Sequence, residues 1–248
     1  MTVIAPAVLA YSRKEFEDAL ALLSGIPSVS RVQIDVVDGQ YAAPPTWPYT
    51  ESEALRIMRE QQHFLPHLDR IEYEVDLMCT EIERAIDDWT ALGASRFTVH
   101  VDGLQRAGLS IESLRNQFST SQDNNESSGV IAFGVALHLD SRADAVTEAA
   151  EQGDYVQCMG IAEIGMQGQP FDSRVVEQVR NLHRMYPRVL IQVDGGVSAA
   201  HAKELAAAGA TTFVVGSAIM RAQNPAAAYA AFDAVLEADL SQNAINHI

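Results

Sequence analysis

Apolar, β-branched runs alternate with amphipathic stretches of helical period along the chain, and the alternation recurs eight times. The runs predicted as strands are 3–9, 32–37, 71–77, 97–101, 130–137, 155–159, 189–193 and 212–215. Helical patterns follow at 13–23, 51–64, 81–92, 111–118, 143–152, 173–185, 199–208 and 225–237. Strands separated by helices of this length pair in parallel through right-handed crossovers. Eight such units in 248 residues match one closed (β/α)8 TIM barrel, an α/β fold occupying 1–248 as a single domain. An open doubly wound sheet has fewer strands and a glycine-rich first turn, whereas Leu9-Ala-Tyr-Ser12 has no glycine. In a barrel the loops that follow strands form the active face.

Composition limits the partners. Hydrophobic residues make up 48% and charged residues 20%, enough of each to build and cover a large core. The formal net charge of −16 disfavours nucleic acid and anionic membranes, which need clustered cations. Lys14 and Lys203 are the only lysines, and both fall within helical patterns. Cys79 and Cys158 have no C-x-x-C spacing, which points to a reduced, cytoplasmic protein. No apolar run reaches the roughly 18 residues of a spanning helix, and Met1-Thr-Val-Ile-Ala-Pro lacks a basic leader.

Two irregular stretches are separated by the same topological rule. The polar segment 119–129 follows a helix, so it is expected on the inactive face as a mobile insertion. The segment 42–49 follows the second strand and brings Trp47 and Tyr49 to the mouth, as either a substrate lid or a rigid structural loop.

Carboxylates gather at strand ends: Asp35 and Asp38 after the second strand, Asp76 in the third, Asp102 after the fourth and Asp194 after the seventh. Like charges brought together raise one another's pKa or require a cation. For Asp38 and Asp102 a structural role, as a helix N-cap or in an Asx-turn, accounts for the residue as well as a functional one does. Asp35, Asp76 and Asp194 sit among apolar strand residues, where that explanation is weaker. Two carboxylates facing one substrate from different sides suit removal of a proton from one face and its return on the other, as an epimerase requires. The enediolate then needs a metal or preorganised donors. His100 and His138 end the fourth and fifth strands, and a lone strand-end histidine is more often structural than a ligand.

Val193-Asp-Gly-Gly-Val197 and Val215-Gly-Ser-Ala-Ile219 follow strands seven and eight. Loops at these places, with a short extra helix, commonly bind phosphate, because glycine admits close backbone approach and free N–H groups favour an anion. The sixth loop, Met159-Gly-Ile-Ala-Glu-Ile-Gly-Met-Gln-Gly-Gln-Pro-Phe171, is long enough to fold over a ligand, provided that Glu163 points away from a phosphate.

In order, these segments resemble the ribulose-phosphate 3-epimerase family across nearly the whole chain. Ile4-Ala-Pro-Ala-Val-Leu9 is similar to the family's I-A-P-S-I-L, and Gln33-Ile-Asp-Val-Val-Asp-Gly39 to H-x-D-x-M-D-G. Glu74-Val-Asp-Leu-Met78 is similar to D-V-H-L-M, the sixth loop to M-S-V-x-P-G-F-G-G-Q-x-F, and the last two segments to V-D-G-G and F-V-x-G-S-A-I. The resemblance implies a ribulose-phosphate-binding barrel with Asp35 and Asp194 as the catalytic acid and base. It assigns Gly168, Gly196, Gly216 and Ser217 to phosphate, and Gly195, Met78 and His100 complete the expected substrate- and phosphate-binding set. The family's divalent metal is held by these two Asp and two His. The His positions are Gln33 and Asp76 here, leaving Asp35, Asp76 and Asp194 as a candidate set that would favour Mg²⁺ or Mn²⁺ over Zn²⁺, or no metal at all. Ala7 replaces a serine that contacts substrate, and Val37 a methionine.

The expected function is therefore epimerase or isomerase chemistry on a phosphorylated sugar. The alternatives are a barrel that holds such a ligand without turning it over, and a metal-dependent lyase. Schiff-base chemistry is disfavoured because neither lysine reaches the mouth, and the Asp35 to Asp38 region lacks the lysine of the related decarboxylases' Asp-x-Lys-x-x-Asp. Homo-oligomers are common among such barrels, an analogy that leaves assembly open.

Overall fold

Each strand of the protein alternates two kinds of residue, and the computed structural model, which describes residues 2–119 and 131–245, shows what the alternation does. The eight strands are β1 (Val3–Val8), β2 (Arg31–Val37), β3 (Glu72–Met78), β4 (Arg96–His100), β5 (Ala132–Leu137), β6 (Tyr155–Met159), β7 (Leu190–Asp194) and β8 (Thr212–Val215). They pair in parallel in sequence order and close β8 onto β1. The predicted (β/α)8 TIM barrel is thus the observed architecture.

The outward set includes Ile34, Val75, Phe97, Phe133, Val156, Ile191 and Phe213, which pack with the helices into one continuous core. Burial of each such side chain contributes roughly 1.5–3 kcal/mol. The helices that cover them are α1 (Arg13–Ser24), α2 (Ser52–Glu60), α3 (Ile82–Thr90), α4 (Val101–Ala107), α5 (Ile111–Ser119), α6 (Ala143–Gln152), α7 (Arg174–Met185), α8 (Ala199–Ala208), α9 (Ser217–Met220) and α10 (Pro225–Ile245).

The inward set is largely polar. Gln33, Glu74, Asp76, Thr98, Gln157 and Gln192 are all buried inside the barrel. Gln192 Nε2 donates to Glu74 Oε1 at 2.5 Å, Gln157 Oε1 at 2.7 Å and Gln33 Oε1 at 3.2 Å, joining β7 to β3, β6 and β2. Beside them Arg96 pairs with Glu74 at 3.2 Å and lies 4.1 Å above the Tyr155 ring. Tyr155 occupies the space left by Gly134, where a Cβ would come within 2.1 Å of the ring.

Several expectations are corrected in detail. Val101, expected at the end of the fourth strand, instead opens α4, so Asp102 lies in a helical first turn rather than capping one. Helix α2 is shorter than the predicted 51–64 and is preceded by a single 3-10 turn, Tyr49–Glu51. From residue 120 on, the polar segment 119–129 lies outside the described residues, as does Val130. The 42–49 loop is structural in its central part: Trp47 is buried, stacks on Phe16 at 4.3 Å and meets Trp89 edge-on at 5.7 Å. Lys14 and Lys203 are exposed on α1 and α8. No helix among the described residues is long and apolar enough to cross a membrane.

Candidate active site

Side chains at the C-terminal ends of the strands point into a cleft of about 190 Å³ at one mouth of the barrel. Asp35 from β2, Met78 from β3, Met159 from β6 and Asp194 from β7 line it, together with Gly168, Gly195, Gly196, Gly216 and Ser217. Eight of the nine residues expected to catalyse or to bind substrate therefore share one cavity. The ninth, His100, is not on its wall; it is buried and its Nε2 lies 3.0 Å from Asp76 Oδ1.

The two aspartates are electrostatically strained. Burial pushes the Asp35 carboxyl well above the usual carboxylate range, and the nearby Asp76 charge pushes it further, while a 2.9 Å hydrogen bond from Gln33 Nε2 works the other way. Burial and the Asp35 charge raise Asp194 in the same direction. Carboxylates so arranged resist ionising together.

The glycine turns have geometric reasons. Gly195 and Gly196 have φ of 106° and 65°, and a Cβ at Gly196 would lie 2.7 Å from the Phe171 backbone. At Gly216, which precedes α9, a Cβ would meet the Gln167 side chain at 2.7 Å. Gln167 in turn donates to the Ala7 carbonyl at 3.2 Å, tying the sixth loop across the mouth to β1. Glu163 is exposed and outside the cleft lining. Sequence reasoning overlooked Arg221, which directly follows α9 and whose guanidinium would lie 3.5 Å from a Cβ at Gly168. The signal was a lone cation one turn past a glycine-serine loop. Asp38 makes an Asx-turn, accepting from the Gln40 and Tyr41 N–H groups at 2.7 Å each.

The family's metal position does not fit a cation here. Asp76 has both oxygens engaged by buried N–H groups, Gln157 Nε2 at 3.0 Å and His100 Nε2 at 3.0 Å. Gln33 turns its amide nitrogen, not its oxygen, toward Asp35. Among the described residues the one group of three metal-ligating side chains with ligand atoms within 4.8 Å of one another is His100, Asp102 and His138, a different set from the three aspartates. Burial, reinforced by the nearby His100, holds His138 below the ordinary histidine pKa. Burial opposes the Asp102 charge, but the Tyr41 hydroxyl and the neighbouring imidazoles and Arg106 outweigh it and hold Asp102 below the usual range.

A closed parallel barrel with acid side chains and glycine turns at the same mouth defines a (β/α)8 barrel whose working face lies at the strand C-termini. The chain belongs to the ribulose-phosphate 3-epimerase family, whose model matches residues 3–220. It is 27% identical to ribulose-phosphate 3-epimerase of Schizosaccharomyces pombe, over 90% of this chain and 88% of that one. It is 28% identical to the Escherichia coli K12 protein of the same name, over 88% of each chain. Among solved structures, KGPDC from Streptococcus mutans superposes with a TM-score of 0.64 at 16% identity, over 94% of this chain and 96% of that one. Salmonella typhimurium 3-hexulose-6-phosphate synthase gives 0.64 at 15%, over 96% of this chain and all (100%) of the other. At these identities the two structures speak to the fold alone.

Proposed function

We propose that this chain is an epimerase of a phosphorylated ketose, moving a proton at the carbon next to the carbonyl with Asp35 and Asp194 as acid and base. The observation that carries the reading is that both carboxylates, each with its pKa raised, line one cleft with the glycine turns. A pair that holds one proton supplies a base on one side and an acid on the other without further adjustment. A raised pKa also brings the base closer to the weakly acidic carbon, easing proton removal.

Backbone N–H groups at Gly195, Gly196, Gly216 and Ser217 hold the phosphate, Gly168 closes over it from the sixth loop, and the Arg221 charge draws it in. Met78 forms an apolar wall beside the reacting carbon. The family match and the 27–28% identity to named epimerases support the same reaction class.

The test is exchange of the carbon-three proton of ribulose 5-phosphate in heavy water, with and without Mg²⁺, Mn²⁺ or Zn²⁺. Exchange that disappears in Asp35→Asn and Asp194→Asn supports the reading. No exchange under any condition rejects it. Thermal stabilisation by sugar phosphates without exchange would then identify a barrel that only binds its ligand.

A further inference from the structure

The rim of the barrel carries a second group of ligating side chains that proton transfer does not use. Strand β4 ends at His100 and passes directly into α4, which places Asp102 in the helix's first turn, while His138 follows the last residue of β5. One nitrogen from each imidazole and one Asp102 oxygen lie within 4.8 Å of one another. The two imidazole rings are 5.6 Å apart between centroids.

An independent observation concerns His100 alone. It is 1% exposed; its Nε2 is held 3.0 Å from Asp76 Oδ1, and its Nδ1 is buried with no partner. A buried polar atom left without a partner is destabilising unless a ligand satisfies it. With Nε2–H donating a hydrogen bond to the Asp76 carboxylate, Nδ1 presents a bare lone pair. Carboxylate, imidazole and cation in series is the usual way that proteins orient a metal-ligating histidine.

We propose that His100 Nδ1, Asp102 and His138 form a site for a divalent transition-metal cation of the zinc class, with Asp76 as the positioning residue behind His100. Two imidazoles and a carboxylate select such an ion over Mg²⁺ or Ca²⁺, and three protein ligands leave a coordination position open to water or to a substrate oxygen. The Tyr41 hydroxyl already donates to Asp102 Oδ1, as outer partners of ligating carboxylates do. Arg106 lies 3.1 Å from Asp102 Oδ2 and is 65% exposed, so it yields to a cation at little cost. The site lies on a different arc of the rim from the glycine turns and contains neither Asp35 nor Asp194. It gives the aspartate at position 76, where the family resemblance expects histidine, a use of its own.

The full-length protein, stripped with chelator, is titrated with Co²⁺ while visible absorption is followed, and then with Zn²⁺ against a chromophoric chelator. The proposal expects one equivalent of Co²⁺ with ligand-field bands that Zn²⁺ displaces and millimolar Mg²⁺ does not. His138→Ala and Asp102→Asn should each weaken binding at least about tenfold, and Asp76→Asn by about 10–100-fold, with unchanged circular dichroism. Should His138→Ala fail to fold, the near-isosteric Asp102→Asn carries the same test. Absence of binding at micromolar metal overturns the proposal. So does binding that survives the His138 and Asp102 changes but is lost in Asp194→Asn, because the cation would then sit on the aspartates. Cobalt binding without proton exchange defeats only the epimerase reading, and exchange without cobalt binding defeats only this one.

Discussion

Asp35 and Asp194 are costly residues to keep where they are, and their cost is measurable. Both have raised pKa values in the folded chain, so the folded state binds more protons than the unfolded state above the ordinary carboxylate range. Their contribution is fully present below the unfolded pKa and is lost as pH rises through the folded values. Asp35→Asn should therefore flatten the decline in Tm between weakly acidic and alkaline pH and raise Tm at its upper end. One pKa unit is about 1.4 kcal/mol, or roughly 3–6 °C for a chain of this size. Differential scanning calorimetry across pH decides the point, and a Tm that falls in parallel with the parent refutes it. The same variant should lower kcat for exchange by about 10²–10⁴-fold, the usual worth of a positioned acid or base. Arg221→Ala should leave kcat nearly unchanged and raise KM for a phosphorylated substrate, because the guanidinium lies beside Gly168, one of the glycines proposed to hold the phosphate, and not beside the proposed acid and base.

The acids at the strand ends of this mouth were readable in advance, whereas the polar alternation behind them was not. In Gln33-Ile-Asp35, Glu74-Val-Asp76 and Gln192-Val-Asp194 polar residues recur with period two, which is the signature of one strand face. The strand-end acids and the paired glycine loops were legible because each is a local pattern with a known place in a barrel. What the sequence concealed was the polar interior, since barrel cores are usually filled by branched apolar residues, and the partnership of His100 with Asp76, which joins positions 24 residues apart. The role of Trp47 was ambiguous because composition cannot separate a lid from a packed loop; its stack on Phe16 settles it. Trp47→Ala should cost about 3–5 kcal/mol by denaturant melting. Gly134→Ala, which drives a methyl into the Tyr155 ring, should cost about 1–3 kcal/mol or more.

At the scale of the whole molecule the field opposes the ligand. A net charge of −16 would repel the proposed phosphorylated substrate at long range, with Arg221 attracting it only near the cleft. Salt screens the distant charges before the near one, so kcat/KM should rise severalfold between about 0.01 and 0.15 M ionic strength. A fall would show that local attraction governs encounter.

The amide of Gln192 bears on how this fold could be divided. Its bonds reach across the bore from β7 to β2 and β3, so the gap between Asp35 and Asp194 is braced along a diameter as well as around the circumference. A chain split between β4 and β5 would leave each half with a row of stranded amides and acids facing its missing counterpart. Each half expressed alone should therefore be less stable than the whole barrel.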